Sequence, residues 1–198
     1  GNVGIGVNNP SSYYANGNDL VVGGTGSQGI TIKSGSTNQG ILAFAKGTSG
    51  GSEQYAGYIL YNHGSGSAEH MQFAVGATER LRIDSSGRLL VGASSSFDQG
   101  AKIQASTTGY EVFEGFQYGV NSVAAILRIG KSRGSIGNHG LVAVNDQLGR
   151  ISFMGNDGSS FKNAAYIFAA VDGTPGTNDM PTRLVLSTTA NGAGSPTE

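Results

Sequence analysis

The sequence predicts an all-β protein built as two tandem β-sandwich-like modules, and three observations carry that expectation. Glycine supplies 34 of the 198 residues, far above its ordinary share of about 7%. Apolar residues fall in short alternating bursts bounded by Gly, Asn, Asp or Ser, the pattern of strands and turns, and almost nothing shows a helical period. A phrase near the middle of the chain also returns in fragments at both ends.

Four bursts read as strands: Ile30-Thr31-Ile32-Lys33, Arg80-Leu81-Arg82-Ile83-Asp84, Arg150-Ile151-Ser152-Phe153-Met154 and Arg183-Leu184-Val185-Leu186-Ser187. In each, alternate side chains face a core and their neighbours face water. Turns are expected at Ser86-Gly87, Asn156-Asp157-Gly158, Asp172-Gly173 and Pro175-Gly176. There Gly supplies positive φ, and Asn or Asp bonds its own backbone. One stretch, Val120 to Ile129, reads two ways. Its Val123-Ala124-Ala125-Ile126-Leu127 centre is long enough for two helical turns. The close flanking glycines and the missing cap favour a strand.

Composition excludes several classes. Charged residues are 13% and the net charge is −1, so there is no basic patch of the kind nucleic acid requires. The densest basic run, Arg128, Lys131 and Arg133, reads as a solvated strand-and-turn surface. Hydrophobic residues at 37% argue against disorder. Cysteine is absent, which removes disulfides and thiolate chemistry. Glycine follows no G-X-Y period, against collagen, and no apolar run reaches the length of a membrane span. Gly1-Asn2-Val3-Gly4 carries neither an initiating Met nor a signal peptide and reads as a cut into a longer protein.

The repeat sets the expected organisation. Gly1-Asn2-Val3-Gly4-Ile5-Gly6 is similar to Gly87-Arg88-Leu89-Leu90-Val91-Gly92, and Ala77-Thr78-Glu79 to Pro196-Thr197-Glu198. The phrase T-E-R-L-R-I-D-S-S-G-R-L-L-V-G, Thr78 to Gly92, closes one unit. It is ending at Gly1 and beginning again at Glu198. Residues 1–16 are then the end of a preceding repeat and a linker, 17–92 a first module and 93–198 a second. Tandem modules of unlike length suit an elongated array.

One resemblance adds to this. The stretch Leu148-Gly149-Arg150-Ile151-Ser152-Phe153 continues through Asn156-Asp157-Gly158, Ala164-Ala165, Val171-Asp172-Gly173-Thr174-Pro175-Gly176, Asp179-Met180-Pro181, Arg183-Leu184, Ser187-Thr188-Thr189 and Pro196-Thr197-Glu198. Lys131-Ser132-Arg133-Gly134 lies upstream. It resembles a module of bacteriophage tail-fibre and tailspike-like proteins, and the Thr78 to Gly92 phrase is similar to the repeat linking such modules. In that family the module often precedes a C-terminal intramolecular chaperone, which has no counterpart here. Thr182 and Leu186 depart from the family's usual Gly and Phe. The resemblance covers most of 130–198, the closing phrase of the first module, and little of 93–129. It implies a homotrimeric structural segment of a virion's tail fibre, extracellular, with other phage tail proteins and a bacterial surface glycan or envelope protein as partners. It implies no enzyme, no cofactor, no nucleic-acid partner and no membrane insertion. Rivals are a polysaccharide-degrading tailspike, and a head-decorating fibre or bacterial adhesin of the same modules.

Chemical constellations are sparse. Gly24-Thr25-Gly26-Ser27-Gln28-Gly29 matches G-x-G-x-x-G, but a strand pattern follows it where a dinucleotide site needs a helix. His63, placed in a turn, and His70, at a strand start beside Glu69, lack the further ligands zinc requires. Asp157, Asp172 and Asp179 read as Asx-turn residues rather than calcium ligands. Glu111 and Glu114, three apart on an expected strand, would point to opposite faces and not across a cleft. The aromatic run Tyr110, Phe113, Phe116 and Tyr118 is the candidate glycan-binding site, because rings stack on sugar faces. Packing in a core or a trimer interface is the weightier reading of the same residues. A second run, Tyr55, Tyr58 and Tyr61, follows Tyr13-Tyr14.

Overall fold

The computed structural model describes residues 1–64, 69–97, 100–118, 120, 122 and 124–198. Its regular structure is β, interrupted by three single-turn 3₁₀ helices at Pro10–Ser12, Ala15–Gly17 and Gly51–Glu53, with no α-helix among the described residues. The all-β expectation holds. By spatial contact the chain divides into two units, Gly1–Glu114 and Gly115–Glu198. The β-modules expected at 17–92 and 93–198 have other bounds, taken from the repeat phrase and not from spatial contact.

The first unit holds β1 (Val3–Ile5), β2 (Leu20–Val22), β3 (Gln39–Phe44), β4 (Gly57–Asn62), β5 (His70–Val75), β6 (Thr78–Asp84), β7 (Leu89–Val91) and β8 (Ile103–Ala105). β1 and β2 form a small parallel pair, and β3 to β8 form one sheet in sequence order. It is antiparallel from β3 to β7 and closes with a parallel β7–β8 pair. The second unit is an antiparallel meander of β9 (Gln147–Asn156), β10 (Phe161–Val171) and β11 (Thr182–Thr188), with β10 central.

The sequence repeat is a structural repeat. β1 pairs with β2 through Val3↔Leu20, Gly4↔Val21 and Ile5↔Val22. β7 pairs with β8 through Leu89↔Ile103, Leu90↔Gln104 and Val91↔Ala105. Val3 N–H donates to the Asp19 carbonyl at 2.7 Å, as Leu89 N–H does to Lys102 at 2.8 Å. Gly23 N–H donates to the Ile5 carbonyl and Ser106 N–H to the Val91 carbonyl, both at 3.0 Å. Each first strand ends on a glycine of positive φ, +76° at Gly6 and +70° at Gly92. A Cβ there would strike the carbonyl of Gly23 or Ser106 respectively, so both positions need glycine twice over.

The sheets are apolar on the face their own unit leaves bare. Residues paired across a sheet share a face. In the six-stranded sheet one row runs Leu60, Gln72, Arg82, Leu90, Gln104. From β4 to β8 this face is covered, with Leu60 5%, Leu90 0% and Gln104 3% exposed, while Ile41 at its β3 end is 43% exposed. Its polar members are satisfied, as burial demands. Gln72 Nε2 donates to Tyr58 Oη at 3.1 Å. Arg82 grips Glu79 at 2.6 and 2.7 Å. Gln104 Oε1 accepts from Ser96 Oγ and Phe97 N–H, both at 3.1 Å. The other face carries Leu42, Ile59, Phe73, Leu81 and Val91 in one row and Tyr61, Met71, Ile83, Leu89 and Ile103 in the next. Leu42, Phe73, Val91, Ile83 and Ile103 are exposed. The meander repeats the arrangement: Val185 is 3% exposed and Leu186, on the opposite face with Ile151 and Ile167, is 67%.

Three of the four expected strands are present, within β6, β9 and β11. Ile30 to Lys33 is not a strand. A four-residue burst set between Gly24–Gly29 and Gly35 has no ladder partner to offset its backbone entropy. Val120 to Ile129 forms neither strand nor helix among its described residues, and Val123 of its centre lies outside them. The turn expected at Pro175-Gly176 has its apex at Thr177-Asn178, with Asn178 at φ +56° inside a Gly176↔Asp179 bridge.

Gly76 and Ala77 join β5 to β6 as a two-residue turn closed by the Val75↔Thr78 pair, with φ +63° and +56°. Both positive values define the type I′ turn, whose hand matches the strand twist. Alanine is a poor occupant of that region. Ala77→Gly is therefore expected to stabilise the protein by roughly 0.5–1 kcal/mol. A urea midpoint equal to or below that of the unchanged chain would refute the assignment of strain to this residue.

Candidate functional site

The candidate sugar-binding rings lie outside every strand. Tyr110, Phe113, Phe116 and Tyr118 occupy an irregular stretch after β8, and each side chain is exposed, Tyr110 and Tyr118 almost fully. Glu111 and Glu114 share that stretch and are exposed. Since it is not a strand, the expected opposite-face geometry of these two carboxylates does not apply.

The second tyrosine run behaves differently. Tyr55 and Tyr58 form a tilted pair with centroids 6.3 Å apart. Tyr58 also accepts the Gln72 hydrogen bond on the covered face. Tyr61 meets His63 edge-on at 4.9 Å. The hydrogen bond from Tyr61 to Glu69 raises its phenol pKa, helped by burial. His70 Nε2 lies 3.0 Å from Gln72 Oε1. No group of three His, Asp or Glu side chains converges on a point among the described residues. Among the described residues no helix is long and apolar enough to cross a membrane.

Two aspartates organise turns through the backbone. Asp157 Oδ1 accepts from Ser160 and Ser159 N–H at 2.8 and 2.9 Å, and these bonds lower its pKa. That is the Asx turn expected between β9 and β10. Asp84 Oδ1 accepts from Ser86 and Arg88 N–H at 2.9 and 3.0 Å, and Oδ2 from Arg88 Nε at 2.7 Å. Burial pushes the Asp84 carboxyl up, but the Arg88 and Ser86 bonds outweigh it and leave the pKa lowered. The I-D-S-S-G-R part of the repeat phrase is thus a turn built on its aspartate. Asp172 departs from the Asx expectation: its Oδ1 takes Arg183 Nη1 at 2.8 Å, in line with the 3.4 Å contact from the same nitrogen to the Val171 carbonyl.

The densest polar centre was missed by sequence reasoning. Asp146 is 8% exposed. Its Oδ1 accepts from Lys131 Nζ at 2.7 Å and Arg133 Nη2 at 2.9 Å. Its Oδ2 accepts from Arg133 Nε at 2.7 Å and Ala143 N–H at 2.9 Å. Four donors on one carboxylate hold its pKa well below the usual range, Arg133 contributing most and Lys131 next. The backbone joins in, since Val171 N–H donates to the Asp146 carbonyl and Asn145 N–H to the Val171 carbonyl, both at 2.9 Å. Two of the three residues read as a solvated basic surface are therefore clamps on an anion. The centre ties the segment before β9 to the end of β10 and resembles no catalytic arrangement.

The sequence matches no family model and no curated protein. The fold does have counterparts. The carboxy-terminal domain of the bacteriophage T5 L-shaped tail fibre superposes with a TM-score of 0.61 at 17% identity, over 80% of this chain and 73% of that one. The same domain with its intramolecular chaperone gives 0.68 at 18% identity, over 87% of this chain and 56% of that one. The chain spans just over half of that longer structure. At such identity the likeness is one of fold.

Asp146 sets an acid limit on the second unit. Its folded pKa lies below the unfolded value of about 3.9. Its contribution is therefore complete above about pH 4 and is lost as pH falls toward the folded pKa. Asp146→Asn should lower the melting temperature most at pH 7, and the gap to the unchanged chain should narrow below pH 4. A gap that stays constant from pH 7 to pH 3 would show that the carboxylate charge is not what the clamp holds.

Proposed function

We propose that this chain is a structural segment of a phage tail fibre that assembles as a homotrimer and attaches the virion to a bacterial surface glycan. The observation that carries the reading is the bare apolar face on each sheet. Exposed contiguous apolar surface of this kind marks an interaction site. A face on which Leu42, Phe73, Ile83, Val91 and Ile103 all stand exposed is apolar surface that a partner would cover. Sister chains around a shared axis supply that partner three times over with one sequence. The fold shared with a tail-fibre domain supports the same role.

Attachment follows from multiplicity. Three copies place three identical weak sites side by side, and effective concentration then replaces single-site affinity. Tyr110, Phe113, Phe116 and Tyr118 are the proposed sugar-stacking rings, since they are exposed on a segment outside the sheets.

Light scattering should give three times the 20.1 kDa protomer mass. Phe73→Asp and Leu186→Glu, each on a bare face, should abolish that species. A folded, soluble monomer of the unchanged chain would sink the trimer. For attachment, alanine at each of the four rings should weaken binding to host cells by up to about tenfold per ring. The melting temperature should stay unchanged. Lost trimer stability with intact cell binding would reassign the rings to packing between chains.

A further inference from the structure

The outer edge of β3 and the irregular residues 30–33 beside it fit one another as a strand pair that has not closed. β3 ends the six-stranded sheet, and among the described residues it pairs with β4 alone. His63 N–H donates to the Asn38 carbonyl at 3.0 Å. In the register Gln39↔Asn62 the bonds toward β4 then continue at Gly40, Leu42 and Phe44. The peptide groups of Gln39, Ile41 and Ala43 therefore point away from β4, along an open edge.

Residues 30–33 already lie against that edge. A Cβ added at Gly40 would stand 3.6 Å from both Ile32 Cγ2 and the Ile32 carbonyl oxygen, close enough for cross-strand neighbours. Between them the chain turns back on itself, with Asn38 N–H donating to the Gly35 carbonyl at 3.0 Å. Pairing Ile32 with Gly40 sets Thr31 opposite Ile41 and Ile30 opposite Leu42. Gly40 and Leu42 lie on the bare face, in line with Tyr61 and Ile59. Ile30 and Ile32 would join them there, and Thr31 and Lys33 would extend the covered face beside Ile41. Yet residues 30–33 make no ladder, and Ile30 is 72% and Ile32 50% exposed. Ser34 Oγ, where the turn begins, is a buried hydroxyl with no hydrogen-bond partner among the described residues. A buried orphan needs a structural cause, and a hairpin left unclosed supplies one.

We propose that residues 30–33 are a seventh strand of this sheet, which closes on the outer edge of β3 when a sister chain covers the bare face. The inference rests on the trimeric reading above. Its physical cause is the side on which the two isoleucines fall. In one protomer, pairing would fix the backbone and still leave Ile30 and Ile32 in water, so conformational entropy opposes it. With a sister chain over the bare face, both side chains leave water as the strand closes, and burial then outweighs that cost. The finished edge is short and carries Thr31 and Lys33, which resists further edge-to-edge pairing. Assembly would thus widen the contact surface and seal the edge of each sheet in one step.

Hydrogen exchange at the Thr31 and Ile41 amides, which would bond each other's carbonyls, reads the strand. Light scattering on the same samples reads the trimer. The full unchanged chain is compared with Phe73→Asp. Both amides should exchange at least about tenfold more slowly in the trimer than in that variant. Thr31→Pro removes one of the two donors and serves where Phe73→Asp fails to fold. It should restore fast exchange at Ile41 while the trimer mass is kept. A trimer whose two amides exchange at the same rate as in Phe73→Asp overturns the seventh strand and leaves the trimer standing. So does Ile41 protection that survives the proline. A monomer of the unchanged chain overturns the trimer and, with it, the coupling proposed here.

Discussion

Everything in this molecule turns on where its apolar surface goes. A β-strand offers two faces, and a single sheet has only one core to give. The covered faces mix apolar residues such as Leu60, Leu90 and Val185 with polar ones held by hydrogen bonds, such as Gln72, Arg82 and Gln104. The other faces carry leucines, isoleucines and phenylalanines. A chain this rich in glycine and serine buries little per residue. In the proposed assembly sister chains would cover the bare faces, and association would then be a condition of folding rather than an addition to it.

The polar centres serve the same end by different means. With no α-helix among the described residues and no cysteine in the sequence, the irregular segments have few ways to be pinned. Asp146 holds Lys131, Arg133 and the Ala143 N–H on one carboxylate. Arg183 reaches Asp172 and, at 3.0 Å, Asn145 Oδ1. Arg150 lies over the Tyr166 ring at 4.4 Å on the meander. The first two are local locks on irregular segments, and the third lies within the meander's own strands. Exposed ion pairs contribute little to stability, so the buried side of Asp146 and its backbone bond are what give that centre weight.

How much of this was legible beforehand depended on distance along the chain. Alternation announced β6, β9 and β11, because each has a ladder partner close in sequence. Ile30 to Lys33 alternates as well and fails, since alternation describes a face and not the neighbour that must pair with it. The three-residue strands β1, β2, β7 and β8 were invisible to periodicity; the repeat marked the stretches that hold β1 and β7, and nothing in the sequence marked β2 or β8. Which face of each sheet is covered could not be read, because both faces of β4 are apolar and only the register through Gln72 and Gln104 decides. The Asp146 centre joins residues 13 and 15 positions apart. A Lys-x-Arg run followed by a lone Asp in a chain with 13% charged residues was the available signal. Of the four candidate rings, the sequence located the segment and the structure placed every side chain in the open.

The repeat carries more than symmetry. A parallel strand pair has no tight connection of its own, and here 11 to 14 residues of loop separate its members. Such a pair is weak when isolated and firm when a third strand flanks it, as β6 flanks β7. The glycine after each first strand fixes the path so that only one register is available. The same glycine stands in two settings, beside β6 at β7 and with β2 alone among the described residues at β1, so the short parallel pair and its register are written into the repeat itself and not into its surroundings.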